Sequence, residues 1–412
     1  MTNKFKHFNR ITKKQSHNDD NLHVFENSLI SKRSQTGGKF VDKGGWGCVV
    51  SPAIPCNTKT KKDKNISKMV SKIVKDADET VLNEIKISNI LKKIDSKNKY
   101  YITYNKYCYL HKIPEDRKDI IGVHYTDDKL SKFTIITEQG DKDKKVCDIE
   151  LALKPMNIIM NYAGYNLSKV IKTKLTEKNA KGVMHRLFLD NFKNYFKHLL
   201  LGIIKMHNNR IINHDIKPKN IMLNWDKTTN LMDVKYIDFG LSDLLTSEFC
   251  SNYENMNSKG TPYYLSPEII ITYYINKYNT MNDKYILYKI FYDINKYVLK
   301  SFNDINEIDL LGNLRVNIFI LFNKIKKLYD NKKILNIYFG NEKNKFNGYL
   351  QKNDIYALGL SLFEVLTAHD DSGEFKKDKS LYNLLSRMIA FDPEKRFNGI
   401  QCLAHPYFHI SK

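Results

Sequence analysis

The 412-residue chain has no long apolar run. Its longest unbroken one, Ile318 to Phe322, falls far short of the roughly 20 residues that cross a bilayer as a helix. Met1 to Arg10 is polar and basic, without the apolar stretch of a secretory leader. Thr2 follows Met1, so the N-myristoylation pattern is absent too. A soluble protein with no membrane span is expected. Cysteine is sparse and scattered, at Cys48, Cys56, Cys108, Cys147, Cys250 and Cys402. No C-x-x-C pair occurs, and a chain of this length does not need covalent staples, so reduced thiols and an intracellular compartment are expected. Acidic residues are the minority among the charges, 45 against 67 Lys and Arg, leaving a formal charge of +22. Such a charge attracts polyanions. The lysines are spread along the whole chain, however, which reads as a bias toward Lys, Asn, Ile and Tyr.

With 42% apolar residues the chain can bury a sizeable core. Residues 1–36 carry no helical or strand period and read as a flexible basic tail. Gly37-Gly38 and Gly44-Gly45-Trp46-Gly47 bracket Phe40-Val41, and Cys48-Val49-Val50 follows, which predicts two short strands joined by a glycine turn. Asn57 to Asn65 is a lysine-rich polar loop. Met69 to Val74 is a short β-branched strand. From Glu79 to Ile94 the apolar residues recur at helical spacing. Residues 96–150 suggest a small sheet with insertions, and Asn157 to Met160 a buried strand. A broad apolar face predicts one helix from about Leu187 to His207. Ile305 to Tyr329 and the stretch 350–412 also look helical.

The densest chemistry lies in Asn213-His214-Asp215-Ile216-Lys217-Pro218-Lys219-Asn220, a polar turn between a helix and a short apolar strand. Asp215 can accept a hydrogen bond from a substrate hydroxyl. Asn220 offers an amide oxygen to Mg²⁺, a cation that prefers oxygen ligands. Lys217 can neutralise a transferring phosphoryl group. Downstream, Asp238-Phe239-Gly240 ends a second apolar strand, so two acidic groups and an amide can converge on one metal. An ordinary capping Asp, or an Asp-Gly turn, explains either segment alone but not both in this order.

These segments resemble the H-R-D-x-K-x-x-N and D-F-G signatures of eukaryotic-type protein kinases. Gly260 to Glu268 resembles the end of an activation segment, with Ser266 at the usual Ala of A-P-E. Asp354 to Gly359 resembles the helix that anchors the catalytic loop. Met388 to Arg396 resembles the late segment whose Arg pairs with the A-P-E Glu, which implies an Arg396–Glu268 pair. His405 to Phe408 resembles the end of the domain. The resemblance implies an α+β, two-lobed fold. A small β-rich N-lobe would occupy 37–162, and a larger, mostly α-helical C-lobe 163–412, with an insert at about 271–350. It also implies ATP and Mg²⁺ as cofactors and proteins as substrates. Asp215 and Lys217 would be catalytic, and Asn220 and Asp238 would hold the metal. Gly44, Gly45, Trp46, Gly47 and Val49 match the nucleotide loop, with Asp42 in place of its first glycine. The ATP lysine would be Lys72 or Lys68, paired with Glu84 or Glu79; Lys72 and Glu84 fit best. Met160, Asn161 and Ala163 resemble the link between lobes, where backbone groups would bond adenine.

His214 replaces the Arg that normally meets a phosphorylated activation loop, so phosphorylation there is not expected to be required; Tyr253 and Ser258 are candidate sites. Lys217 resembles the Ser/Thr-specific branch. Sixteen aromatic residues stand among 271–350, interspersed with lysines. Extra helices explain them; they could also stack on RNA, but no nucleic-acid motif supports that partner. The divergent motifs resemble kinases of large DNA viruses, which implies a host-cytoplasm or virion location. Asp42 keeps open an inactive scaffold with weakened nucleotide binding.

Overall fold

A computed structural model describes residues 39–44, 47–56, 66–110, 121–126, 129–139, 142–150, 155–246, 259–270, 343–368 and 377–409, with 289 and 292. The tail at 1–36, the polar loop at 57–65, Tyr253, Ser258 and the helix expected at Ile305 to Tyr329 lie outside them. So does the insert, apart from 289, 292 and its last residues.

The N-terminal half is built on an antiparallel five-stranded sheet in the order β1-β2-β3-β8-β4. Its strands are β1 (Lys39–Gly44), β2 (Gly47–Ser51), β3 (Met69–Val74), β4 (Tyr104–Tyr109) and β8 (Met156–Asn161). Gly47 opens β2 so close to β3 that a Cβ would lie 2.1 Å from the Ile73 carbonyl oxygen. Packing between strands therefore requires glycine there, independently of any ligand. Helix α1 (Glu79–Ile94) has the bounds that periodicity predicts, and Asp78 caps it by accepting from the Val81 N–H at 2.9 Å. Val81 and Ile85 pack on Val74, Tyr104, Met156 and Ile158 of the sheet. A separate three-stranded sheet, β5 (Ile121–Thr126), β6 (Lys129–Gln139) and β7 (Lys142–Glu150), accounts for the charged stretch before β8.

The C-terminal half is mostly helical. One large core gathers α4 (Phe192–Asn208) with α2 (Leu167–Ile171), α3 (Ala180–Asp190), α5 (Lys343–Thr367), α6 (Lys379–Met388) and α7 (Gly399–Leu403). The single helix expected from Leu187 to His207 is two. Asn191 ends α3 with its N–H bonded to the Leu187 and Leu189 carbonyls, and α4 starts at the next residue. Apolar residues continue across the break, so periodicity alone does not reveal it. Short strands frame the loops: β9 (Tyr165–Asn166), β10 (Ile211–Ile212), the hairpin β11 (Ile221–Asp226) and β12 (Leu231–Tyr236), and β13 (Asp243–Leu244). The two-lobed α+β fold is present. Tyr236 joins the lobes, its N–H donating to the Tyr100 carbonyl and its carbonyl accepting from Ile102, both at 2.9 Å.

Two expectations about bonding meet different outcomes. Arg396 and Glu268, 1% and 4% exposed, form a two-pronged ion pair at 2.6 and 2.9 Å. Ser266 also donates to Glu268 at 2.7 Å. The expectation that all cysteines are reduced is corrected: Cys56 and Cys108 form a disulfide, and Cys48 is disulfide-bonded as well. Fifty-two positions separate Cys56 from Cys108, and packing of the segment after β2 against β4 and β8 brings their Cα atoms to 5.9 Å. Cys402 is a free, buried thiol. Among the described residues, no helix is long and apolar enough to cross a membrane.

Removing one partner of a buried ion pair strands the other charge. Arg396→Met is expected to lower unfolding free energy by about 3–5 kcal/mol in urea titrations. Arg396→Met with Glu268→Gln should recover part of that loss. A single-variant cost below about 1 kcal/mol, the range of exposed pairs, would show that water reaches this site.

Candidate functional site

Strand β3 places Lys72 opposite Val49 of β2 and Ile158 of β8. Its Nζ lies 2.8 Å from Glu84 Oε2 on α1 and 3.2 Å from Asp238 Oδ1 across the lobes. Burial pushes the Lys72 pKa down, but the charges of Asp238 and Glu84 outweigh it and the net shift is upward. Lys72 holds the Asp238 carboxyl below its ordinary value, with help from Lys217 and against partial desolvation. Glu84 moves the other way, because burial outweighs the opposing pull of Lys72. The alternatives do not occupy this place. Lys68 is exposed in a 3-10 turn before β3, and Glu79 is exposed in the first turn of α1.

The loop between β10 and β11 carries the second cluster. Asp215 Oδ2 accepts from Lys217 Nζ at 2.7 Å and from Asn220 Nδ2 at 2.9 Å. Thr261 donates its hydroxyl to Asp215 Oδ1 at 2.6 Å while accepting from Lys217 Nζ at 2.6 Å. The loop is fixed from behind by Asp354, fully buried on α5. Its oxygens accept from the Asn213 and His214 N–H groups, both at 2.9 Å. The clusters meet because the Ile237 N–H donates to the Asn220 carbonyl at 3.0 Å, seating Asp238 beside Asn220. His214 and Asp238 both take left-handed backbone, φ 65° and 64°. Non-glycine residues hold that conformation only where their surroundings fix it.

Phe239 turns inward, almost fully buried, with its ring edge-on to Tyr101 at 5.9 Å. Asn83, on α1, donates to the Ser242 carbonyl at 2.6 Å and ties the segment after Asp238 to the N-terminal sheet. Gly44 and Gly47 face each other across β1 and β2, with Asp42 opposite Val49 beside a register shift. Gly45 and Trp46, between them, lie outside the described residues. Met160 and Asn161 end β8, and Ala163 follows. A cavity of about 190 Å³ opens beside this link, lined in part by Asn161, Tyr162, Ala163 and Met222; it does not reach Lys72, Asp215 or Asp238.

Asp238 and Asn220 present oxygen atoms, the donor type that Mg²⁺ accepts. Among the described residues no group of three or more His, Cys, Asp or Glu forms a complete cage. Two protein ligands suit Mg²⁺ that completes its shell with phosphate oxygens and water. Sequence reasoning missed Thr261 and Asn83, whose roles depend on partners 46 and more than 150 residues away. Only the place of Thr261 beside Gly260 and Pro262 gave a local hint.

A protein-family model described as "Protein kinase domain" matches residues 145–408, more than half of the chain. The chain is 31% identical over 141 residues to the serine/threonine-protein kinase nekl-2 of Caenorhabditis elegans, covering 34% of this chain and 36% of that protein. It is 24% identical over 268 residues to the mitogen-activated protein kinase HOG1 of Kluyveromyces lactis, covering 64% and 49%. It is 24% identical over 294 residues to the serine/threonine-protein kinase SSN3 of Candida albicans, covering 69% and 46%. The chain thus spans less than half the length of these relatives.

The Lys72 cluster carries a pH signature. A carboxyl whose pKa falls on folding stabilises the fold above its unfolded pKa, near 4, and loses that contribution as pH drops through the lower folded value. Lys72→Met removes the cation that depresses Asp238 and leaves Glu84 unpaired. The stability gap between wild type and Lys72→Met should be widest near neutral pH and narrow below about pH 5. Urea titrations across that range test this, and a gap independent of pH would show that the three side chains are not coupled.

Proposed function

The chain belongs to the protein kinase domain family, and on that premise we propose that it is an active Ser/Thr protein kinase, moving the γ-phosphate of ATP onto hydroxyl groups of protein substrates. The observation that carries this reading is the junction of the two clusters. Lys72 joins Glu84 to Asp238, the Ile237–Asn220 bond seats Asp238 beside Asn220, and Asn220 donates to Asp215. Phosphoryl transfer is mostly positioning and charge stabilisation, and each side chain supplies one part of it.

Asp215 accepts the hydrogen bond of the attacking serine or threonine and takes its proton as the oxygen bonds to phosphorus. The Thr261 hydroxyl already donates to Asp215 at 2.6 Å, so this carboxylate is placed to accept from an aliphatic alcohol. Lys217 bridges the same carboxylate and the Thr261 hydroxyl, where its charge can meet the transferring phosphoryl oxygens. Lys72 holds the α- and β-phosphates, oriented by Glu84. Asn220 and Asp238 would hold Mg²⁺, which would supply positive charge against the oxygens of the triphosphate. Gly44, Gly47 and Val49 would cover the nucleotide. Backbone groups of Asn161 and Ala163 bond adenine, with Met160 behind it. Lys217 also favours serine and threonine over tyrosine.

Asp42 favours the second reading, a scaffold that binds nucleotide weakly, since an acid at the lip of the loop repels phosphate. Divergent motifs support a viral origin, and with it a host-cytoplasm or virion location; the Cys56–Cys108 disulfide argues against a strongly reducing setting.

With labelled ATP, Mg²⁺ and a general protein substrate, wild type should label serine and threonine. Asp215→Asn should lose about 10²–10⁴ in rate, the share of a positioned base. Asp238→Ala should lose activity with weakened dependence on Mg²⁺. Nucleotide binding by wild type without any transfer would support the scaffold instead.

A further inference from the structure

Asp243 has no part in the chemistry above, yet it sits at a crossing of three segments. It lies five residues after Asp238, in β13, where it pairs with Ile212 of β10 immediately before the catalytic loop. One carboxylate oxygen accepts from Lys259 Nζ at 2.6 Å. The other lies 3.2 Å from His214 Nε2, a close polar contact though off line for a full hydrogen bond. The His214 and Asp243 side chains are about nine-tenths buried, and Lys259 is two-thirds buried. Burial alone would raise the Asp243 pKa, but His214 and Lys259 hold it below its ordinary value, so the carboxylate stays charged.

Each contact of Asp243 continues into the active site. His214 directly precedes Asp215, and its backbone is pinned by Asp354. Lys259 directly precedes Gly260, whose backbone packs so tightly on His214 that a Cβ would lie 2.4 Å from the His214 carbonyl oxygen. Gly260 also holds φ 117°, a conformation suited to glycine. Thr261, next in line, bonds both Asp215 and Lys217. One fixed carboxylate therefore closes the base of the segment that begins after Asp238 and returns at Lys259, and sets its returning end against Asp215.

We propose that Asp243 is a positioning residue, clamped between His214 and Lys259, that holds the peptide-binding segment on the catalytic loop with charges the chain itself encodes, so that the site is assembled without a phosphoryl group. This rests on the kinase reading and deepens it by stating how the site is regulated. Lys259 spends its charge on Asp243, and the His214 ring rests against the same carboxylate. Phosphate on the segment is not needed to gather them.

The test uses full-length protein co-expressed with a broad-specificity phosphatase, in wild type, Asp243→Asn, Asp243→Glu and Lys259→Met forms. Wild type should phosphorylate a peptide at full rate while free of phosphate. Asp243→Asn and Lys259→Met should raise KM for the peptide about tenfold or more, as expected when a buried charge pair is broken. KM for ATP should change little, because Lys72, Glu84 and Asp238 are untouched. Asp243→Glu should recover most of the loss. A merely structural role would lower thermal stability and shift both KM values together. Wild type that is inactive until phosphorylated, or Asp243→Asn that matches wild type, overturns the inference. Should wild type transfer no phosphate at all, the kinase reading fails, and hydrogen exchange still judges the clamp. The amides of Leu244, Leu245 and Tyr264 should then exchange faster in Asp243→Asn, and equal exchange overturns it.

Discussion

Asp354 is wholly removed from water, and its two carboxylate oxygens accept from the backbone N–H groups of Asn213 and His214 and lie 3.0 Å from His207 Nε2 at closest. A buried carboxylate without donors would be costly, so the acid and the loop fix each other. The neighbouring Asn353 accepts from the Ser266 N–H at 2.9 Å. Two consecutive residues of α5 thus hold the loop from Asn213 to Asn220 and the segment that ends at Glu268. The left-handed backbone of His214 persists because Asp354 binds its N–H and Gly260 packs on its carbonyl. The placement of Asp215, and through it of Lys217, Asn220 and Thr261, follows from that anchor.

From there the site is a chain of compensated charges. Asp215 is paired with Lys217, Asp238 and Glu84 with Lys72, Asp243 with Lys259, and Glu268 with Arg396. Asp238 is the most exposed of these acids, with 38% of its side chain open to the cleft. That opening leaves Asp238 accessible to a further partner. The buried pairs, Glu268 with Arg396 above all, are structural, since water cannot substitute for a lost partner. The lobes meet through both kinds of contact: the Lys72–Asp238 ion pair, and the bonds of Tyr236 to Tyr100 and Ile102.

Much of the fold was legible. The apolar spacing from Glu79 to Ile94 and the β-branched run from Met69 to Val74 gave the bounds of α1 and β3, because each pattern is set by local burial. The break at Asn191 was not legible, since apolar residues flank it on both sides. The Cys56–Cys108 disulfide was missed because scattered spacing says nothing about which strands become neighbours. Gly47 was read for its place by the nucleotide, while its contact with Ile73 shows a second demand of the sheet itself. The family match begins at residue 145 and leaves out Lys72 and Glu84, so their place in the site rests on geometry.

The sequence by itself determined the order of the polar groups and the elements that carry them. Spacing of two to five residues along a loop is enough to put Asp215, Lys217 and Asn220 on one turn. Only the tertiary structure decided which distant residues meet: Lys72 with Asp238 over 166 positions, Asn213 with Asp354 over 141, and Arg396 with Glu268 over 128. It also turned Lys72 inward while Lys68 stayed exposed, and it brought Lys259 back to Asp243. Local pattern records which side of an element is buried. It does not record what lies across the cleft, because that depends on how the lobes pack, a property of the whole chain.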